Sequence, residues 1–175
     1  MTAAAPGASA GLARRLASLV YEALIVAAIV LVAGFALMPL MSPSAMADAA
    51  PVVPGAGGRI GGFLALVAVL GAYFAWCWTG GRRTLPMKTW RLRVVDAAGA
   101  PLVPARAIAR YAAAWIGPAI AVVAYSATHA HYAWLALAIG YAWAIVDPDR
   151  QFLHDRLAGT RIVRDPPAPL TSGTP

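Results

Sequence analysis

A long uncharged run near the start of the chain limits the possible folds more than any other feature. From Ala23 to Ala47 there is no charged residue, and most of the run is Ala, Leu, Ile and Val. An apolar run of this length crosses a hydrocarbon core about 30 Å thick as a helix. It is too long for the apolar region of a signal peptide, even though Ala45-Met46-Ala47 resembles a cleavage site. We therefore predict a first membrane-spanning helix at about residues 16–38.

The composition supports an integral membrane protein. Hydrophobic residues make up 61% of the 175 residues and charged residues only 12%, against about 45–50% and about 25% in soluble domains. The net charge of +7 comes from basic segments that flank apolar runs, which is typical of membrane proteins and not of a nucleic-acid-binding face. The single Cys77 lies in an apolar run, so neither a disulfide nor a cysteine-based metal site is expected.

Two further apolar regions follow. Residues 60–79 are uncharged and predict a second span, and 111–146 contain no Asp, Glu, Lys or Arg over 36 residues. A single helix of that length would be about 54 Å long, far more than a bilayer needs. A break at residues 126–131 gives a third span at 111–127 and a fourth at 131–146. The alternative is an interfacial helix near Arg106–Gly117 followed by one span, which would place the C-terminus outside.

The basic residues indicate the orientation. The loop at 80–110 carries seven of them against the single Asp96, and the region after residue 146 carries four arginines, Arg150, Arg156, Arg161 and Arg164. Basic loops stay in the cytoplasm, so we predict four spans with both termini inside. The membrane domain then covers residues 11–165, with disordered tails at 1–10 and 166–175.

Short elements are predicted on the cytoplasmic side. Trp90–Val95 alternates in polarity as a strand does, and Thr160–Arg164 is a second short strand that we expect to pair with it. Asp147 followed by Pro148 is typical of a helix start, and Gly159 of a helix end. The fold class is therefore an all-α membrane protein with four transmembrane helices and a small cytoplasmic two-stranded β element.

Glu22 is the main candidate functional residue. It is the only Glu in the chain, and at about six residues inside the first apolar run it lies about 9 Å deep. An ionisable side chain there costs roughly 2.5–3.5 kcal/mol on insertion scales and is a functional hypothesis by default. The alternatives are a buried carboxyl group that holds helices together, a group coupled to proton or cation transport, and an interfacial side chain that reaches water.

Arg15, Ser18 and Glu22 share one helix face, because Ser18 follows Arg15 by three residues and Glu22 follows it by seven. About 10.5 Å separates Arg15 from Glu22 along the helix, and the arginine side chain leans toward the N-terminus, so we do not expect an ion pair. Glu22 then needs a partner from another helix. We predict Tyr73 or Tyr141, which lie at a similar depth in the four-span arrangement.

The segment after the fourth span contains Asp147, Asp149, His154 and Asp155. Helix-start positions and ion pairs with the basic loop account for these residues, and adjacent His154 and Asp155 would point about 100° apart on a helix. We predict no metal site. His129 and His131 are expected in an exposed outer turn. No catalytic triad or carboxylate pair stands out, so we do not expect an enzyme.

Three segments together resemble the RDD family of bacterial membrane proteins. They are Arg15 with an acidic residue seven positions later, the pattern G-G-x-x-T-L-x-M-K-x-W-x-L-R-V-V-D-x-x-G-x-P-L from Gly80 to Leu102, and D-P-x-R-Q-x-x-H-D-R-x-A-G-T from Asp147 to Thr160. Glu22 stands where the family has Asp. The resemblance implies a bacterial inner-membrane location, a link to ion or solute transport, and a role for the cytoplasmic residues Asp147, Gln151, His154 and Asp155.

The sequence thus predicts a membrane protein that transports an ion or small solute with the help of Glu22, without a cofactor. Four spans are few to enclose a solute path, so we expect self-association or a membrane-protein partner within the lipid bilayer. The alternative function is a structural or assembly partner whose basic loop docks a cytoplasmic protein or anionic lipid head groups.

Overall fold

The computed structural model describes residues 10–41 and 54–165, and it is mostly helical. Two long helices come first, α1 at Leu12–Met41 and α2 at Ala56–Trp78. Both extend beyond the predicted spans, because α1 continues through Pro39 and α2 begins before Arg59. The tails at 1–9 and 166–175 lie outside the described residues. Ala10, which we assigned to the N-terminal tail, is buried.

A short helix and a strand follow α2. Gly80 and Gly81 have φ angles of 59° and 76°, a conformation that glycine adopts without steric cost. This turn leads into α3 at Leu85–Thr89, whose N-cap is Thr84. Strand β1 then covers Leu92–Asp96.

Helix α4 at Pro104–Ala114 starts at Pro104, a residue that suits the first turn of a helix. It is followed after Trp115 by α5 at Ile116–Thr128. The predicted break at 126–131 is confirmed, since His129 caps α5 with a left-handed φ of 52°.

The segment after this break is not a regular α-helix. His131–Ala138 is a 3₁₀ helix, and α6 covers Ile139–Val146. The 3₁₀ helix packs closely on α5, since a Cβ on Gly117 would lie 3.1 Å from the Ala136 carbonyl oxygen. A 3₁₀ helix rises about 2.0 Å per residue and an α-helix about 1.5 Å. Residues 131–146 therefore extend about 28 Å instead of the 24 Å of a continuous α-helix.

Three helices in the described part are long and apolar enough to cross a membrane: Leu12–Pro39, Ala56–Trp78 and Pro104–Thr128. The apolar helical segment His131–Val146 is shorter than these. The prediction of a membrane protein with apolar spanning helices is confirmed. The fourth span stays a prediction.

The two-stranded element is confirmed. Strand β2 at Thr160–Arg164 pairs antiparallel with β1, with Leu92 opposite Arg164 and Asp96 opposite Thr160. Strand β1 starts two residues later than predicted, because Trp90 caps α3 and Arg91 has a φ of 52°. Asp96 begins a turn after β1, where its backbone oxygen accepts a hydrogen bond from the Gly99 N–H group.

The predicted helix start at Asp147 is wrong. Asp147 caps the end of α6, and α7 covers only Leu153–Leu157. The Asp147 carboxylate accepts hydrogen bonds from the backbone N–H groups of Asp149 and Gln151, as an N-cap would. The chain forms a turn there instead of a helix, since Arg150 has a φ of 53°. Gly159 follows α7 with a φ of 62°, as expected of a helix end.

The buried core lies at one end of the long helices, which we call the sheet end because β1 and β2 are located there. Its main members are Trp78, Met87, Leu92, Val94, Leu102, Ala107, Phe152 and Ile162. Only 6% of the most apolar stretch of α1 and of α2 is buried within the protein. The long helices thus expose apolar side chains, as lipid-facing helices do, while the sheet end is packed like a soluble protein.

Candidate functional site

Glu22 lies on α1 and accepts hydrogen bonds from two other elements. The Tyr73 hydroxyl of α2 lies 3.4 Å from Glu22 Oε1, and the Thr84 hydroxyl donates to Oε2 at 2.7 Å. Thr84 also accepts a weak hydrogen bond from the Met87 N–H as the N-cap of α3. The carboxylate is therefore held by two neutral hydroxyl groups, of which Thr84 makes the shorter contact.

Among the described residues, no basic side chain forms an ion pair with the Glu22 carboxylate. Within residues 10–41 and 54–165, the ion pairs shorter than 4.0 Å involve Asp147, Asp149, Asp155 and Asp165, and not Glu22. In particular, Arg15 does not pair with Glu22, as the helix geometry predicted.

A cavity of about 390 Å³ connects Glu22 to the sheet end. Its lining includes Arg15, Ser18 and Glu22 on α1, and Tyr141 on α6. Tyr73 is absent from the lining, although it contacts Glu22. Tyr141 contacts the rings of Phe152 and His154 edge-on, and not the Glu22 carboxylate. The cavity thus brings together four of the five intramembrane residues that the sequence singled out.

Arg15 is 1% exposed and joins the start of α1 to the segment after α6. Its Nε donates to the Ala10 carbonyl at 2.9 Å, Nη2 donates to the Asp149 carbonyl at 3.2 Å, and Nη1 donates to the Arg150 carbonyl. Burial of this charged side chain is possible because three backbone carbonyls replace the water that would solvate its guanidinium group.

Asp147 and Gln151 shape the loop that receives Arg15. The Asp147 carboxylate holds the loop backbone at Asp149 and Gln151. The Gln151 side chain donates to the Asp149 carbonyl at 3.2 Å and accepts from the Ile162 N–H at 3.1 Å. Both side chains therefore fix the loop to itself and to β2.

An exposed arginine completes this loop. Arg156 donates to both oxygens of Asp147 and to Asp149. The hydrogen bonds from Arg156 lower the pKa of Asp147, and those to the two aspartates raise the pKa of Arg156. Both groups stay charged at neutral pH, and their charges hold the loop.

A second buried network joins α4 to α7. Arg110, which is 3% exposed, donates from Nε to Asp155 Oδ1 at 2.8 Å, and Asp155 is fully buried. The Arg110 guanidinium also lies 4.1 Å from the centre of the Trp78 ring, a favourable cation–π geometry. The charge of Arg110 is therefore already balanced within the protein.

His154 belongs to the same network. Its Nε2 lies 3.3 Å from Arg110 Nη2. Burial disfavours the charged imidazolium, and the positive charge of Arg110 adds to this, so the pKa of His154 falls to about 4. The imidazole ring is neutral at neutral pH.

Thr84 and Arg110 were missed as site residues. Thr84 precedes a Leu-Pro pair, which is a helix-start pattern that places its hydroxyl group at an N-cap. Arg110 is the last charged residue before the long uncharged run. Such a position favours pairing with an acidic group, but the sequence does not indicate which one.

The sequence model of the RDD family matches residues 9–159 of the chain. This range contains Arg15, Glu22, Thr84, Arg110 and Asp155, and thus both buried networks. No curated protein and no solved structure matches the chain. The family match covers well over half of the 175 residues, and it agrees with the three segments that first suggested the resemblance. The chain belongs to the RDD family.

Proposed function

We propose that this protein is a transporter of the inner membrane, in which a cation or a proton reaches Glu22 through the cavity at the sheet end, and that it has no enzymatic activity. The observation that carries the proposal is the Glu22 carboxylate at the cavity wall, with neutral hydroxyl donors and no basic side chain within 4.0 Å among the described residues.

The energetics of an intramembrane carboxylate support this function. A charged side chain in a spanning helix costs roughly 2.5–3.5 kcal/mol on insertion scales, and such groups mark ion and proton paths. Hydrogen bonds from Thr84 and Tyr73 offset part of this cost. A bound proton or cation would neutralise the Glu22 carboxylate and remove the remaining cost, so its binding is favourable.

The proposed topology has four spans with both termini in the cytoplasm. The 28 Å extension of residues 131–146 supports a fourth crossing, because it is close to the hydrocarbon thickness of about 30 Å. The contacts of Arg15 with the Asp149 and Arg150 carbonyls support it as well, because they bring the start of α1 and the segment after α6 to the sheet end.

We also propose a homo-oligomer or a complex with another membrane protein. The outward faces of α1 and α2 carry exposed apolar side chains such as Val32, Phe35 and Phe63. Lipid covers such faces in a monomer, and part of them is available to a second copy.

The test is a flux assay in liposomes that contain the purified protein. A proton or monovalent-cation gradient is imposed, and internal pH or ion content is followed with a trapped dye. We expect protein-dependent flux in the wild type and at least a tenfold loss in Glu22→Gln, which keeps the hydrogen-bond acceptor but removes the ionisable group. Glu22→Asp is the matched control, because it retains the charge that other family members place there.

Absence of protein-dependent flux, or equal flux in the wild type and Glu22→Gln, would overturn the transport proposal. A second candidate function, a structural or assembly partner, would then gain if Glu22→Gln lowered the thermal stability in detergent. The observation that favours this second candidate is the basic surface of the sheet end, where Arg82, Lys88, Arg91 and Arg106 are exposed. Anionic lipid head groups and an acidic protein surface are the partners that fit it.

A further inference from the structure

The walls of the cavity are mainly aromatic and aliphatic. Six of its lining residues are Phe, Tyr or Trp: Phe74, Trp78, Tyr111, Trp115, Tyr141 and Phe152. Neighbouring rings hold one another in place, since Tyr111 contacts Trp115 edge-on with ring centres 6.1 Å apart. The Tyr111 hydroxyl is also fixed, because it donates to the Val67 carbonyl at 2.8 Å. The cavity therefore presents a preformed aromatic wall.

The two arginines at the cavity are already engaged. Arg110 is paired with Asp155 and stacked on Trp78, and Arg15 donates to three backbone carbonyls. Among the residues that the structure describes, the hydrogen-bond donors to the Glu22 carboxylate are the neutral hydroxyl groups of Tyr73 and Thr84. Arg110 acts on the Glu22 charge without direct contact and is paired with Asp155, so a positive charge placed next to the Glu22 carboxylate would be favourable.

The remaining lining does not suit a hard metal cation. Ions such as Ca²⁺ take six to eight oxygen ligands and Mg²⁺ takes six. Besides Glu22, the side-chain oxygens at the cavity are the hydroxyl groups of Ser18, Tyr111 and Tyr141, and that of Tyr111 is already bonded. An organic ammonium group, in contrast, is stabilised by aromatic faces and by a single carboxylate.

We propose that the cavity binds a small lipophilic organic cation, a quaternary or protonated amine, with its charge at Glu22 and its hydrocarbon groups against Phe74, Tyr111 and Trp115. The volume of about 390 Å³ lies in the range of small-molecule pockets, about 300–1,000 Å³. The inference rests on the proposed transport function, because it names the class of solute that the same site accepts.

Binding to the purified full-length protein in detergent tests the inference without any flux measurement. The probe is phenyltrimethylammonium, and its uncharged isostere tert-butylbenzene is the matched control ligand. Binding of both is followed by isothermal titration calorimetry. We expect saturable binding of the cation and at least tenfold weaker binding of the isostere to the wild-type protein.

Three variants test where the ligand binds in the cavity. Glu22→Gln should weaken binding of the cation at least tenfold and leave the affinity for the isostere unchanged. Glu22→Asp should retain most of the affinity for the cation. Phe74→Leu should weaken binding of the cation about three- to tenfold, because a cation–π contact is lost. Circular dichroism and thermal unfolding show whether each variant is folded. If Glu22→Gln does not fold, the comparison of the two ligands on the wild type still decides.

Equal affinity for the cation and its isostere, or no saturable binding of the cation, would overturn the inference. Its failure is distinct from failure of the transport proposal. If Glu22-dependent flux of protons or inorganic cations persists without binding of phenyltrimethylammonium, the solute class is wrong and transport stands. If the cation binds at Glu22 and no flux occurs, the binding site stands and transport is wrong.

Discussion

At the residue scale, the sheet end contains polar groups whose charge state depends on their surroundings. His154 is 8% exposed and lies between Arg110 and the rings of Tyr141 and Phe152. Asp155 Oδ1 lies 3.8 Å from His154 Nε2, which is too far for a hydrogen bond. Asp155 therefore offsets only part of the effect of Arg110 on the pKa of His154. The imidazole is therefore buried in its neutral form.

This environment makes the stability of the protein depend on pH. The pKa of His154 is about 4 in the folded state and about 6.5 in the unfolded chain. Between these values the unfolded chain binds more protons, so stability falls as the pH falls from 6.5 toward 4. At pH 5 the loss is on the order of 2 kcal/mol, or about 4–8 °C in Tm.

We expect the His154→Gln variant not to show this loss of stability, because a glutamine side chain does not titrate in that pH range. The measurement is thermal unfolding in detergent at pH 7 and pH 5, and the difference between the wild type and the variant removes the contribution of the carboxyl groups. Parallel pH profiles for the two proteins would contradict the prediction.

At the element scale, the Arg110–Asp155 ion pair joins α4 to α7. Both side chains are almost completely buried, and Arg110 Nη2 lies 2.7 Å from Asp155 Oδ1. Removal of one partner of a buried pair leaves an uncompensated charge and costs about 3–5 kcal/mol. We therefore expect Arg110→Met to lower the free energy of unfolding by about this amount, measured by denaturant unfolding in detergent.

Two comparisons make this prediction specific. Arg164→Met removes an exposed arginine and should change the stability by no more than about 0.5 kcal/mol. The double variant Arg110→Met/Asp155→Leu should be more stable than Arg110→Met alone, since no buried charge is left without a partner. Equal stability of Arg110→Met and Arg164→Met would mean that the pair does not hold the two helices together.

The helices and strands differ in how well the sequence predicts them. The first two spans follow from long uncharged runs, and the strand pair follows from two alternating segments without another partner, so local patterns are sufficient. The 3₁₀ helix at His131–Ala138 has no such signal. The pattern at Asp147 was misleading, because the same carboxylate-to-N–H hydrogen bonds occur in a turn and at a helix start.

The candidate site also has features that follow from local sequence patterns and features that do not. Helix periodicity places Ser18 and Glu22 on one face, and similar depth in the membrane suggests Tyr73 as a neighbour, which the hydrogen bond to Glu22 agrees with. Two of the three partners of Arg15 could not be predicted, because they are backbone carbonyls more than 130 residues away in the chain. Backbone groups carry no sequence signature, so only the folded chain identifies them.

At the scale of the whole molecule, the two ends of the helices differ in polarity. The basic residues at 80–110 and 150–164 are at the sheet end with Arg15. The turn between α5 and the 3₁₀ helix contains His129, is followed by His131, and has no Lys or Arg. The contacts of Arg15 with Asp149 and Arg150 require residues 10 and 150 to be on the same side of the membrane. The proposed four-span arrangement meets this requirement, because an even number of crossings returns the chain to the side on which α1 begins.

Reporter fusions test this arrangement. A fluorescent protein that folds only in the cytoplasm should be bright when fused after Pro175, and alkaline phosphatase, which is active only outside the cytoplasm, should be inactive there. Alkaline phosphatase inserted between His129 and Ala130 should be active, because the proposed topology keeps the basic sheet end inside and exports the opposite turn. An active phosphatase after Pro175 would contradict the four-span arrangement and would require an odd number of crossings. In that case the 3₁₀ helix and α6 would not lead the chain back to the sheet end. The contacts of Arg15 with the Asp149 and Arg150 carbonyls could then not form.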